Sequence, residues 1–256
     1  MKYNEIKNYW DERAKTNGGE NSTTDDKFLR TIELRVLLDA LKELENKHVG
    51  DFGCGDGKIT LELSKEFPMK TFMGLDYSKN MIMNANKLLG SSNVKNLFFK
   101  EFDIMEKQDS KFDVIYTTRC LINLPTWELQ KKAILNIHSL LFDNGVYIMI
   151  ENFKEGHNNL NEIRQQYGLS EISIRDHNLF FERSKLLEFL EELFEIEQEI
   201  NISSSYYLIS RVIYSKICHD AGIMPDYNDD HHRYGAALPF TGEFGPARFL
   251  LLRRRS

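Results

Sequence analysis

The sequence is poor in cysteine, short of positive charge and without a long apolar run, and each absence removes a class of protein. Its three cysteines, Cys54, Cys120 and Cys218, are odd in number and far apart. That excludes a disulfide framework and a Cys-x-x-Cys zinc site, and no metal is expected. Lysine and arginine number 33 against 39 aspartates and glutamates, a net charge of −6. No overall positive field therefore exists to hold nucleic acid by counterion release. The basic run Arg253 to Arg255 is too short to change this and fits the flank of a last strand or a frayed tail. No stretch approaches the roughly 20 apolar residues of a membrane span, and Met1-Lys2-Tyr3-Asn4-Glu5 opens without an apolar segment. Neither a membrane partner nor a leader is expected, and a cytoplasmic location is the default.

What is present is an alternation. Apolar runs at 48–52, 71–75, 97–102, 112–116 and 145–150 are separated by helix-like stretches at 58–66, 78–90 and 126–140. Strand after helix after strand predicts a parallel sheet covered on both faces, and 256 residues suffice for one such domain, 1–256. Within it, 1–26 reads as an N-terminal arm with a loop from Thr16 to Asp26, 27–152 as a cofactor-binding core that begins with a helix, and 153–246 as an acceptor-side elaboration. Asp143-Asn144-Gly145 reads as a turn before the fifth strand, and Ser184 as the N-cap of a further helix. Strands are also expected at 194–201 and 247–252, the second opening a final segment, 247–256. Between them, 203–246 reads as an aromatic-rich insertion with little regular period. Tyr3, Tyr9 and Trp10 either form an arm over a site or staple the first helix to the body.

The chain is organised around Gly50-Asp51-Phe52-Gly53-Cys54-Gly55-Asp56-Gly57. A strand that turns into a helix through Gly53, Gly55 and Gly57 lets a ligand lie against bare backbone. A dinucleotide site begins similarly, but its fingerprint leaves two residues between the last glycines for a pyrophosphate. Here the spacing is Asp-x-Gly-x-Gly-x-Gly, which suits a ligand without phosphates whose ammonium Asp51 can balance. Asp76 ends the second strand, where a carboxylate accepts from ribose hydroxyls in either kind of site. Asp103 closes the third, positioned to accept from an adenine amine, with Tyr77, Met81 and Ile104 as walls for the ring. One such aspartate is readily a helix cap; three at successive strand ends point to an adenosyl sulfonium, S-adenosylmethionine.

The stretches DFGCGDG at 51–57, GLDYSKNMI at 74–82, FDI at 102–104, FDVIYTTRCLINLP at 112–125 and LFDNGVYIMI at 141–150 resemble the consecutive motifs of class I S-adenosylmethionine-dependent methyltransferases. The resemblance covers roughly 27–152. Together with YWDERA at 9–14 and the insertion before the last strand, it is closest in character to bacterial enzymes that modify small molecules, sugars or surface (capsule) polysaccharide precursors. It implies a Rossmann-like, doubly wound, mostly parallel seven-stranded sheet with an antiparallel last strand, and it sets Thr117 and Thr118 beside the methionine part of the cofactor.

A sulfonium methyl is already electrophilic, so the protein must position an acceptor and remove any proton it carries. Glu151, His157 and His177 are the candidate bases. Arg119, Arg175 and Arg211 are candidate acceptor contacts, and with Arg233 they suggest a phosphorylated, nucleotide-linked or phosphoramidate-type acceptor. After the fourth strand neither an Asn-Pro-Pro-Tyr motif nor a Pro-Cys pair occurs, and Thr117-Thr118-Arg119 stands where catechol-type relatives carry a magnesium-binding aspartate. Metal-independent O-methyl transfer to a small molecule is the expectation. N-methyl transfer to a small amine and a nicotinamide oxidoreductase are the alternatives. Asp229-Asp230-His231-His232 reads as a solvated loop, since adjacent side chains rarely converge on one ion.

Overall fold

The computed structural model describes residues 1–16, 23, 24, 26–45, 47–106 and 110–255; most of the expected Thr16 to Asp26 loop lies outside them. The elements run α1 (Tyr3–Thr16), α2 (Lys27–Lys42), β1 (His48–Phe52), α3 (Lys58–Glu66), β2 (Thr71–Asp76), α4 (Lys79–Gly90), β3 (Leu97–Glu101), β4 (Phe112–Thr118), a 3-10 turn (Leu121–Asn123), α5 (Trp127–Leu140) and β5 (Leu141–Asn152). They continue through α6 (Lys154–Gln166), α7 (Arg183–Glu191), β6 (Phe194–Asn201), α8 (Ser204–Tyr207), a π-helical turn (Leu208–Ile213), α9 (Tyr214–Ala221), α10 (Asp230–Ala237) and β7 (Ala247–Arg254).

One seven-stranded sheet has the order β3-β2-β1-β4-β5-β7-β6. Strands β1 to β5 pair in parallel, and β7 runs antiparallel to both β5 and β6. This is the expected Rossmann-like sheet with its antiparallel last strand. Because β4 is covered on both faces, it reads as a continuous apolar run, and its side chains divide with the pleat. Ile115 packs with Ile134, Ile137 and Leu186 on one side, while Val114 and Tyr116 pack with Leu37, Leu41 and Tyr206 on the other. Strand order reverses where β1 meets β4, and the crevice beyond the carboxyl ends of the strands at that point is where open α/β sheets bind ligands.

Three local expectations are corrected, and one helix had no counterpart among them. Asp143 to Gly145 lies within β5, where Asn144 takes φ 60° beside a bulge opposite Phe112 and Val114. Ser184 sits inside the first turn of α7, whose N-cap is Glu182; the Arg183 amide is taken up by Glu155 Oε1 at 2.8 Å. Helix α6 follows β5 without a sequence signal, because its polar stretch buries little besides His157, Leu160 and Arg164. The insertion 203–246 is mostly helical. Its period was hidden by the π-helical turn, which adds a residue to each turn and shifts the buried face.

Candidate active site

The glycine turn that follows β1 uses the backbone freedom glycine offers. Gly53, Gly55 and Gly57 have φ of 80°, 54° and 75°. A β-carbon at Gly53 would strike Cys120, and one at Gly55 would strike Thr23. The turn is tied to the end of β2: Gly53 N donates to Leu75 O at 2.7 Å, and Gly55 N donates to Asp76 Oδ2 at 3.0 Å. Ser78 N donates to Asp76 Oδ1 at 2.8 Å, so each carboxylate oxygen keeps lone pairs for a ligand.

Above this turn lies a cavity of about 410 Å³. Of the residues expected from sequence, Gly53, Gly55, Asp76, Tyr77, Met81, Ile104, Thr118, Arg119, His157, Arg175, His177 and Arg211 line it. Asp51, Gly57, Asp103, Thr117 and Glu151 do not. Asp51 lies beneath the floor, accepting from Thr60 Oγ1 at 2.5 Å and Tyr116 OH at 2.8 Å, and burial pushes its pKa up to about 7. Gly57 is the N-cap of α3, packed against Phe99. The Thr117 hydroxyl turns into the core, 2.8 Å from Tyr147 OH.

The differences at Asp103 and Glu151 bear on their expected roles. Asp103 accepts from Tyr3 OH at 2.6 Å, Lys7 Nζ at 2.9 Å and Met105 N at 2.9 Å, so α1 occupies the carboxylate expected to face adenine. Burial works to raise its pKa, but the Lys7 and Tyr3 hydrogen bonds outweigh it and hold the group below the ordinary range. Glu151 is fully buried and accepts from the amides of Cys120, Leu121 and Ile122 at 3.0, 2.8 and 3.3 Å. That geometry organises the turn after β4 and leaves the carboxylate no line to an acceptor. Burial pushes its pKa up to about 7 against those hydrogen bonds.

Cations collect on the far side of the cavity. Arg119 takes φ 49°, and its guanidinium grips the buried Glu33 at 2.6 and 3.1 Å. Arg211 donates to Asp26 at 2.6 Å and packs over the Tyr227 ring at 4.6 Å. Arg175 is exposed at the cavity wall, with no carboxylate paired to it among the described residues. Arg233 pairs with Asp230 on the surface at 3.1 Å and does not line the cavity. His157 Nε2 lies 3.3 Å from Asn161 Nδ2. His177 stacks on Tyr9 at 4.6 Å, and Trp10 Nε1 donates to Asn123 Oδ1 at 3.0 Å. Helix α1 thus does both things its aromatics allowed: it staples to the body and walls the site. Burial lowers the pKa of both histidines, with Arg175 and Arg13 adding to the effect at His177. The segment expected as a solvated loop instead starts α10, capped by Asp229, with His232 buried.

Sequence reasoning missed Asn152, Glu33, Asp26 and Tyr207. Glu33 carried a readable signal, a lone carboxylate on the apolar face of α2 between Ile32 and Val36. Thr118 Oγ1 and Asn152 Oδ1 both belong to cavity-lining residues and are buried without a hydrogen-bond partner. The cofactor side therefore has two carboxylates with raised pKa, the buried Asp51 and the half-buried Asp76, the latter pushed up to about 6 by desolvation. Orphaned acceptors and carboxylates short of positive charge fit a group that brings hydroxyls and a cation.

A family model described as a methyltransferase domain matches residues 43–202, more than half of the chain. The chain belongs to that family. This methyltransferase-domain chain is 36% identical over 99 residues to a trans-aconitate 2-methyltransferase of Deinococcus radiodurans, a match covering 39% of this chain and 36% of that protein. It is 26% identical over 187 residues to a malonyl-[acyl-carrier protein] O-methyltransferase of Bacillus cereus, covering 69% of this chain and 64% of the relative. The chain thus spans between about a third and two thirds of the length of these curated relatives. Among solved structures, the N-methyltransferase NodS of Bradyrhizobium japonicum in complex with S-adenosyl-L-homocysteine superposes with a TM-score of 0.61 at 12% identity, over 98% of this chain and 99% of that one. At that identity the likeness is one of fold.

Proposed function

We propose that the protein is an S-adenosylmethionine-dependent methyltransferase that transfers the methyl group to an oxygen of a small-molecule acceptor in the same cavity. The observation that carries this is Asp76, fixed by the Gly55 and Ser78 amides at the rim of a glycine turn, with free lone pairs facing the cavity. When bound, the cofactor supplies an electrophilic methyl on sulfur. The chain's own residues bind and orient: Asp76 accepts from the ribose hydroxyls, Tyr77, Met81 and Ile104 bracket the adenine, and Thr118 and Asn152 receive donors near the amino-acid end. Asp51 contributes from beneath, favouring positive charge above the floor. No metal is given a role, since Thr117-Thr118-Arg119 offers no carboxylate after β4.

Oxygen is preferred to nitrogen because two curated relatives, the malonyl-[acyl-carrier protein] O-methyltransferases of Bacillus cereus and Bacillus anthracis, carry that activity in their names. A nicotinamide oxidoreductase is disfavoured by the glycine spacing. The phosphorylated, nucleotide-linked or phosphoramidate-type acceptor keeps one of its four arginines, Arg175, at the cavity without a matched carboxylate among the described residues. Of the four arginines that suggested it, Arg119 and Arg211 are neutralised by Glu33 and Asp26, and Arg233 is outside the cavity. Incubating the protein with methyl-labelled cofactor and a small-molecule panel, read by mass spectrometry, tests the proposal. A labelled O-methyl product supports it. Label on an amine nitrogen alone moves the reading to N-methyl transfer, and cofactor binding without transfer to any class would sink it.

A further inference from the structure

Resting on that reading, we infer that the acceptor is a carboxylic acid bound as its anion, that Arg175 reads the charge, and that the product is a methyl ester. The charge ledger of the cavity leads there. Arg119 and Arg211 are each already matched by a carboxylate, at 2.6 Å in both cases. Arg175, on the coil between α6 and α7, has no such match among the described residues. One unmatched guanidinium suits one negative charge, and its planar fork suits a carboxylate.

The bases point the same way. An alcohol must lose a proton during transfer, and a carboxylate has none to lose at neutral pH. Glu151 is spent on three backbone amides. At His157, Nε2 lies 3.3 Å from Asn161 Nδ2, an amide nitrogen that can only donate, so in the tautomer protonated on Nδ1 the Nε2 lone pair is engaged. The same Asn161 is fixed in that orientation, donating to Ile172 O at 3.1 Å and accepting from Ile172 N at 2.9 Å. That leaves His177, whose basicity burial and two nearby arginines reduce. The cavity provides a counter-charge and no strong base. In the step itself, a carboxylate oxygen forms the C–O bond to the methyl carbon as the C–S bond breaks. The electron pair leaves on sulfur, the two opposite charges cancel, and no proton moves.

The test is calorimetric titration of the S-adenosylhomocysteine-bound protein with linear monocarboxylates of increasing length and their matching primary amides. The carboxylates should bind at least about tenfold more tightly than the amides at one or more lengths. Arg175→Gln should remove that preference without weakening S-adenosylhomocysteine, and Arg175→Lys should restore part of it. Arg175 is exposed on a coil, so both variants should fold. Carboxylates and amides binding alike, including no binding of either, overturns the inference, and so does a preference that survives Arg175→Gln. Failure of S-adenosylhomocysteine itself to bind is a separate result, and it removes the proposed function beneath.

Discussion

The two sides of the cavity are built with opposite electrostatics. On the side of β1 and β2, carboxylates sit on glycine backbone and neutral hydroxyls, and burial leaves Asp51 near 7 and Asp76 near 6. On the side of α2, α6 and the π-helical turn, guanidiniums line the wall, two of them held by Glu33 and Asp26. One side lacks a cation and the other offers one to spare. A site of this polarity favours a positively charged cofactor at one end and a negatively charged acceptor at the other, and it orients both before any chemistry occurs.

The largest effect should come from breaking the cationic wall at its buried anchor. Glu33→Ala leaves Arg119 without its partner at a left-handed backbone position, and urea denaturation should register a loss of about 3 kcal/mol. A change below about 1 kcal/mol would mean that Arg119 reaches solvent at little cost. On the acidic side, Asp76→Ala removes the two charge-assisted hydrogen bonds proposed to hold the ribose. S-adenosylhomocysteine affinity should fall by about a hundredfold with folding intact, and unchanged affinity would place the ribose elsewhere.

A smaller effect separates the sides by pH. Asp51, Asp76 and Glu151 all titrate higher in the folded chain than their ordinary values, so the folded state holds protons that the unfolded state has released. Their stabilising contribution is complete below about pH 4 and is lost as pH rises through 6 to 7. The lowered carboxylates, Asp11, Asp103 and Glu199, lose theirs only in more acidic solution. The unfolding free energy of the ligand-free protein, and with it the melting temperature, should therefore fall between pH 5 and pH 8, on the order of 1 kcal/mol per pH unit, and Asp51→Asn should flatten the profile. A melting temperature that rises across this range would mean that these carboxylates are already compensated. The smallest effect is expected at His177→Asn. If the acceptor needs no base, turnover drops less than about tenfold; a loss of a hundredfold or more would restore general-base catalysis.

These two sides were also unequally legible in the sequence. The acidic side is local: glycines 53, 55 and 57 and Asp76 lie at or just past the ends of short apolar runs that read as strands, so their spacing and the motifs they form pointed to the pocket. The cationic side is assembled from distant pieces. Glu33 meets Arg119 across 86 positions, and Asp26 meets Arg211 across 185. No local pattern records that an arginine is already paired, so four free arginines were counted where one remains at the cavity. Asp103 shows the same limit, since its strand-end position was readable and its capture by α1 was not. Helices α6 and α8 to α10 were hidden for a different reason. Their buried faces use histidine, serine and tyrosine, and the π-helical turn breaks the period that apolar residues would reveal.

The central claim is that the acidic side of this cavity holds S-adenosylmethionine, and calorimetry with S-adenosylhomocysteine and NADH in parallel tests it most directly. Saturable one-to-one binding of S-adenosylhomocysteine in the micromolar range, with no heat from NADH, is the predicted result. Binding of NADH with no response to S-adenosylhomocysteine would contradict it.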